Sequence, residues 1–319
     1  LATAIATGIA IASPPGSAQA QQKFPSKPLR IVVTNPAGSQ GDTLARMISH
    51  KLSESWGGAV VVDNRTGAFG TLASGTVAKS AADGHTLLFT AGHAISAAMQ
   101  PSLPYDPVKD FAGVTQIGFG TQVIVVAPAL GVRTVQDFVA LAKAQPGKLI
   151  YGSSAVGTGS HLNGARFILA AGIKAVTVAF KGGPEATVEV MGGRTHFSSV
   201  TLFSALPLVQ DGKLVALAVA TPQRSPLLPE VPALAETMPA FKRPENSTTL
   251  LAPAGTPRSV LNQISKEVAR ILDLADIRER LQGMGYVPAP STPDETDKIL
   301  REQIATMSRL MTDAGLKPK

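Results

Sequence analysis

Short apolar strands alternating with amphipathic helices constrain this chain more than any other feature of its sequence. Leu29-Arg30-Ile31-Val32-Val33-Thr34 is β-rich and bounded by prolines, which predicts a buried strand. A glycine-rich turn follows, Asn35 to Gly41, and Asp42 then opens a segment with Leu44, Met47, Ile48 and Leu52 on one helical face. Gly57-Gly58 stops that helix, and Ala59 to Val62 reads as a second strand. A turn from Asn64 to Gly70 leads to a helix through Lys79; after Asp83-Gly84, Leu87 to Thr90 is a third strand. Such a β-α-β-α-β order predicts a mostly parallel sheet covered by helices.

The middle of the chain repeats the theme. Strands are expected at Lys148–Tyr151, Val176–Val178, Thr195–Ser198 and Leu214–Ala220. Helices are expected at Ser160–Ala171, Pro184–Met191 and Phe203–Gln210. The tail reads as helical at Arg258–Leu272, Ile277–Gln282 and Pro293–Ala314. With 319 residues the chain suits about two domains. Ala127-Pro128-Ala129 recurs as Ala252-Pro253-Ala254, and Arg133 and Val135 recur as Arg258 and Val260, all at an offset of 125. A match this short also arises by chance. Read as a repeat, it marks two equivalent crossover strands between two lobes, one of residues 24–125 plus 250–319 and one of 126–249, with a hinge and a ligand cleft between them.

Composition narrows the function. Charged residues are 16% of the chain, against roughly 25% in an average domain. The 29 Lys and Arg against 22 Asp and Glu give a net +7, but the basic residues are scattered, so nucleic acid is not expected as a partner. A diffuse positive field suits a small anion. Cysteine is absent, which removes disulfides, thiolate metal sites and cysteine nucleophiles. The five histidines form no His-x-x-x-His pair, and no phosphate loop or Gly-x-Ser-x-Gly elbow occurs. Gly157-Thr158-Gly159 begins like a dinucleotide fingerprint, but Leu162 stands at the third glycine position. No metal or cofactor is expected.

The first residues, Leu1 to Ala12, are apolar or small and too few to span a bilayer. Followed by Ser13-Pro14-Pro15 and Ala18-Gln19-Ala20, they read as the core and cleavage site of a secretory signal with a truncated start. Cleavage after Ala20 and export to the periplasm are the expectation; a disordered Ala-rich tail is the alternative.

Two strand-to-helix turns carry the binding hypothesis. One is Pro36 to Asp42, with Ala37, Gly38, Ser39 and Gln40; the other, from the opposite lobe, is Ser153 to Ser160, with Ser154, Gly157 and Thr158. Turns at the carboxyl ends of strands in open α/β sheets are where ligands bind, and helix N-termini present amide N–H groups to anions. Two such turns facing each other would hold a carboxylate without an arginine. Equally, a Gly/Ser turn can do no more than connect elements.

The residues Phe24 to Val33, Pro36-x-Gly38 and Asp42-x-x-Ala45-Arg46 resemble the start of Bug-type solute-binding proteins, the extracytoplasmic receptors of the tripartite tricarboxylate transporter family. The likeness continues through Val60 to Asn64 with Arg65-x-Gly67-Ala68, Asp83-Gly84-x-Thr86-Leu87-Leu88, Leu103 to Phe111, Gly157-Thr158-x-Ser160-His161-Leu162, Phe180-Lys181-Gly182, Ser204 to Pro207 and Leu251 to Pro257. It implies an α/β chain with the two-lobed type II periplasmic-binding-protein fold, two crossover hinge strands, a small carboxylate ligand, membrane transporter subunits as partners and no catalysis. It implies that the two turns hold the carboxylate, partly through water. This chain departs from the family's glycine run at Gly38-Ser39-Gln40, from its frequent Asp at Val200, and from its aromatic near Ser247-Thr248. The specificity end of the pocket is therefore expected to be atypical.

Single residues carry two readings. Asp42 suits a helix cap more than a ligand contact. His161 and Lys181 suit structural and solvated roles more than binding, and His93 suits either; Thr90 and Thr201 could donate hydroxyls at strand ends. A monomer is expected. The competing reading is an exported α/β enzyme acting on a carboxylic acid, with Ser154 and His161 as nucleophile and base; a third is a binding protein serving a sensor.

Overall fold

The computed structural model describes residues 24–313, apart from 101, 155–157, 222, 239–240 and 242–246. The expected signal segment and Gly157 lie outside the described residues. In chain order the elements are β1 (Leu29–Val33), α1 (Gln40–Trp56), β2 (Val60–Asn64), α2 (Thr71–Ala78), β3 (Thr86–Thr90), α3 (His93–Met99), β4 (Phe111–Gly120), β5 (Gln122–Val126), α4 (Val135–Ala144), β6 (Ile150–Ser153) and α5 (Gly159–Ala171). There follow β7 (Val176–Ala179), α6 (Gly183–Met191), β8 (Phe197–Thr201), α7 (Leu202–Gln210), β9 (Val215–Val219), α8 (Leu234–Thr237), β10 (Thr248–Pro253), α9 (Arg258–Leu272), α10 (Ala275–Gly283), β11 (Tyr286–Pro288) and α11 (Pro293–Asp313).

The strands form two sheets, ordered β11-β4-β10-β3-β1-β2 and β7-β6-β8-β5-β9. Strands buried on both faces explain the unbroken apolar runs. In β5, Ile124 and Val126 enter one core while Val123 and Val125 enter the core on the other face. In the first sheet, Leu29, Ile31 and Val33 face α1 and α9, and Val32 faces the opposite side with Ala73, Val77 and Leu300. Each such side chain, fully buried, contributes about 1.5–3 kcal/mol. The helices match by periodicity: α1 buries Leu44, Met47, Ile48 and Leu52, and α9 buries Leu261, Ile264, Val268, Ile271 and Leu272.

The sheets are mixed, which corrects the expectation of mostly parallel pairing. β1 pairs parallel with β2 and β3, but β10 runs antiparallel to both β3 and β4, and β5 runs antiparallel to β8 and β9. The cause lies in the crossings. The chain leaves the first sheet at the end of β4 and enters the second at once as β5; it is back in the first sheet as β10. A strand arriving from the other sheet enters from the carboxyl edge and so runs against its parallel neighbours. The two Ala-Pro-Ala copies end these two arriving strands. Residues 122–125, which the sequence reading grouped with the first lobe, lie in the second sheet, because the backbone changes sheet at Thr121. There the Thr121 amide donates to Gly285 O (2.9 Å) and Thr121 O accepts from the Leu202 amide (2.8 Å), so the crossing is held from both sides.

Candidate functional site

The topology brings both candidate turns to one junction. α1 starts from the carboxyl end of β1, and α5 from the carboxyl end of β6. The carboxyl edges of both sheets lie at the crossings, since β5 and β10 begin where β8 and β3 end. Contacts across the junction are direct. Leu162 of α5 packs with Ala94 and Ile95 of α3 and Met307 of α11. On the other side, Phe203 of α7 packs against the α1–α9 core.

The two helix termini are built alike. Ser39 caps α1, its Oγ accepting from the Asp42 amide (3.3 Å); Thr158 caps α5, its Oγ1 accepting from the His161 amide (3.2 Å). In each, the hydroxyl satisfies the third amide of the helix and leaves the first two. The Gln40 and Gly41 amides, and those of Gly159 and Ser160, have no partner among the described residues. Unpaired amides at a helix start, with the helix dipole behind them, attract anions.

The termini differ in charge. Asp42 is buried at 4% exposure and accepts from the Gly38 amide (2.9 Å), Arg46 Nε (3.0 Å) and Asn64 Nδ2 (2.8 Å). Burial opposes its charge, but the bonds from Arg46, Gly38 and Asn64 prevail and hold its carboxyl below the usual value. Ser39 holds the cap position expected of Asp42; Asp42, three residues on, organises the first turn, and its carboxylate offsets part of the positive end of α1. The Gly38 amide is spent on Asp42, so Gly38 cannot offer its own N–H to a ligand; its φ of +77° bends the turn. At α5 the equivalent position is His161, buried at 5% exposure and pushed by burial toward the neutral form. The third position of α5 thus carries no carboxylate of the kind that offsets the dipole of α1.

The remaining predicted residues serve turns and strand ends of the two sheets. Ala37 is exposed in the first turn. Gln40 bridges rather than points outward: Nε2 donates to Met284 O (3.0 Å), and Oε1 rests against Gly120 at the crossing. Thr90 accepts from the Gly92 amide (3.2 Å) and lies 3.5 Å from the Thr34 hydroxyl, so it shapes the β3–α3 turn beside the first seat. Ser153 donates to Ser154 O (2.8 Å), and Ser154 shares a hydrogen bond with the Thr158 hydroxyl. Thr201 bonds Ser204 (2.8 Å) at the start of α7. The Lys181 amide caps onto Glu185 (2.8 Å), and its side chain lies exposed after the edge strand β7.

His93 is a correction. It sits at 4% exposure with Tyr105 and Phe111 rings against it, at 6.0 Å and 4.7 Å between centroids, and its Nε2 bonds Pro107 O (2.8 Å). Burial lowers its pKa to about 4, the Pro107 carbonyl opposing only in part. It is a neutral core histidine, because it opens a helix whose first turn packs inward. The Ser154 hydroxyl, the nucleophile that the enzyme reading needs, is bonded to the Thr158 hydroxyl.

Sequence reasoning missed Gln122 and Ser199. Gln122 Oε1 accepts from Ser160 Oγ (2.8 Å), and Ser199 Oγ is fully buried without a partner among the described residues. The available signal was a lone amide heading the run Val123–Val126, and a Ser-Ser pair inside an apolar strand. A separate groove of about 640 Å3 lies between α1, α7 and α10, lined by Thr43, Arg46, Met47, His50, Phe203, Arg280 and Met284. It contains none of the predicted binding residues.

Two α/β sheets joined by two crossings, with helix termini aimed at the junction, define the type II periplasmic-binding-protein class. Solved structures agree. The R. palustris protein Rpa4515, determined with adipate, is 30% identical and superposes with a TM-score of 0.85 over 93% of this chain and 100% of its own. MatC from Rhodopseudomonas palustris, with bound malate, is 27% identical with a TM-score of 0.78, over 90% of this chain and 99% of its own. The family model of the tripartite tricarboxylate transporter family receptor matches residues 44–316, and the chain belongs to that family. BugT of Bordetella pertussis is 30% identical over 300 residues, 93% of this chain and 92% of its own length.

Proposed function

We propose that this chain is an extracytoplasmic solute receptor that captures a small carboxylate between two lobes and presents it to the membrane subunits of a tripartite transporter. The lobes are centred on the two sheets, residues 24–120 with 248–313 and residues 122–241, and hinge at Thr121 and at the return to β10. Residues 1–20 act as the export signal and are removed after Ala20. No helix among the described residues is long and apolar enough to cross a membrane. The single observation that carries the reading is the matched pair of helix termini, α1 and α5, whose first two amides have no partner among the described residues at the junction of the sheets.

The mechanism follows from the asymmetry of the two seats. The carboxylate docks first on the α5 terminus, where no acidic residue competes. Contact with the Gln40 and Gly41 amides then favours the closed arrangement, in which the hydrogen bonds strengthen as water leaves. Charge-assisted bonds of about 1.5–3 kcal/mol each supply the roughly 8 kcal/mol of a micromolar site after ordering costs. The carboxylates bound in Rpa4515 and MatC support the ligand class. The family's role as a transporter receptor supports binding without turnover. Thermal-shift screening of mono-, di- and aromatic carboxylates, followed by calorimetry, tests it. At least one acid should raise the melting temperature and bind with one-to-one stoichiometry. No shift from any acid would overturn the reading.

A further inference from the structure

The register of the second sheet places Gln122 at the floor of the junction. β5 pairs with β8 so that Gln122 lies opposite Thr201 and Ile124 opposite Ser199. β8 pairs with β6, with Phe197 opposite Tyr151, which brings Ser199 into step with Ser153. Alternate residues of a strand share a face. Tyr151, Phe197 and Ile124 form the core beneath α5. Ser153, Ser199, Thr201 and Gln122 therefore continue that same face to the carboxyl edge, under the first turn of α5. Along this face the sheet turns from aromatic and aliphatic to hydroxyl and amide.

The polar atoms on this shelf are unequally satisfied. Ser153 and Thr201 are bonded to Ser154 O and to Ser204 Oγ. Ser199 Oγ is buried and has no partner among the described residues. Gln122 is held at one end: Ser160 Oγ donates to its Oε1 (2.8 Å) from the first turn of α5. With Oε1 committed, Nε2 is turned away from Ser160, and its two N–H groups have no partner among the described residues. Packing gives no reason for an amide at the head of Val123–Val126, and a half-buried primary amide fixed at its acceptor is oriented to donate.

We infer that Gln122 is a specificity-determining residue, whose Nε2 donates to an oxygen on the part of the ligand remote from the carboxylate held by the helix termini. This inference rests on the carboxylate-capture reading. A ligand bearing a second oxygen acceptor satisfies the amide; an acid with only an apolar tail leaves it desolvated and unpaired, which disfavours binding.

Gln122→Glu is the decisive variant. It keeps an acceptor for Ser160 in the same shape and replaces the donor with a negatively charged oxygen. Gln122→Met removes the amide without adding charge and guards against misfolding of the first variant; both should melt near the parent temperature without ligand. Calorimetry on the full chain would compare dicarboxylates from malonate to adipate with straight-chain monocarboxylates of equal length. The parent should favour the best diacid over its monocarboxylate counterpart by about tenfold or more, Gln122→Met should lose that preference, and Gln122→Glu should reverse it. Equal parent affinities within each pair, or an undiminished preference in both variants, would overturn the role of Gln122 and leave carboxylate capture standing. Failure of every acid to bind the parent would overturn capture itself, and the inference with it.

Discussion

A methyl group on Gly164 would sit 2.0 Å from the Tyr151 hydroxyl. That missing methyl lets α5 lie close on β6, where Tyr151 also donates to Ser160 O (2.9 Å) and so pins the first turn of the helix. Gly164→Ala should cost about 1–3 kcal/mol of stability and weaken carboxylate binding, because α5 must lift away; denaturant unfolding with calorimetry checks both. Thr158→Val removes the cap on the His161 amide and should cost about 1 kcal/mol, with Thr158→Ser restoring most of it in the same unfolding assay. His93 offers a test by pH. Unfolded, it titrates near 6.5; folded, near 4. Its contribution is fully present above 6.5 and is lost as pH falls through about 4, since the unfolded chain takes the proton first. The urea midpoint of His93→Phe should therefore fall less steeply than that of the parent between these values. At this scale the sequence revealed helix-start chemistry at Asp42, because such chemistry is local, although the cap itself is Ser39. It could not reveal that His93 is enclosed by Tyr105 and Phe111, which come from a later loop and strand.

The elements that matter most are the two helices with equivalent termini and unequal charge. Their positions were legible, since apolar spacing and Ser, Thr or Gly at the turns announce a helix start. The long β4, the short β11 and helix α3 were not anticipated. β4 carries glycines and polar residues that blur its period, and β11 is three residues whose pairing with β4 makes it a strand. Charge at the seat can be tested through the turn before α1. Gly38 is exposed with open space where a side chain would project, and aspartate tolerates its left-handed backbone. Gly38→Asp should fold, with a modest change in melting temperature, yet weaken carboxylate binding by an order of magnitude or more. Unaltered affinity in calorimetry would remove the α1 terminus from the site.

For the whole molecule, closure links binding to stability. At a ligand concentration of about 100 times Kd the folded state gains roughly 2.7 kcal/mol, so the melting temperature should rise with ligand concentration. Gly285 is a sensitive position beside the crossing, because its φ is +61° and a side chain there would meet Leu202 at 2.9 Å. Gly285→Val should lower the melting temperature by several degrees, as checked by scanning calorimetry. By itself the sequence determined the layered α/β class, the start of each binding helix and the absence of thiol chemistry, because propensity, periodicity and capping act within a few residues. Only the tertiary structure decided that the arriving strands run antiparallel, that Asp42 consumes the Gly38 amide, and that Gln122 lies under α5. Those facts depend on which strand ends meet across long separations in sequence, and no local pattern carries that information.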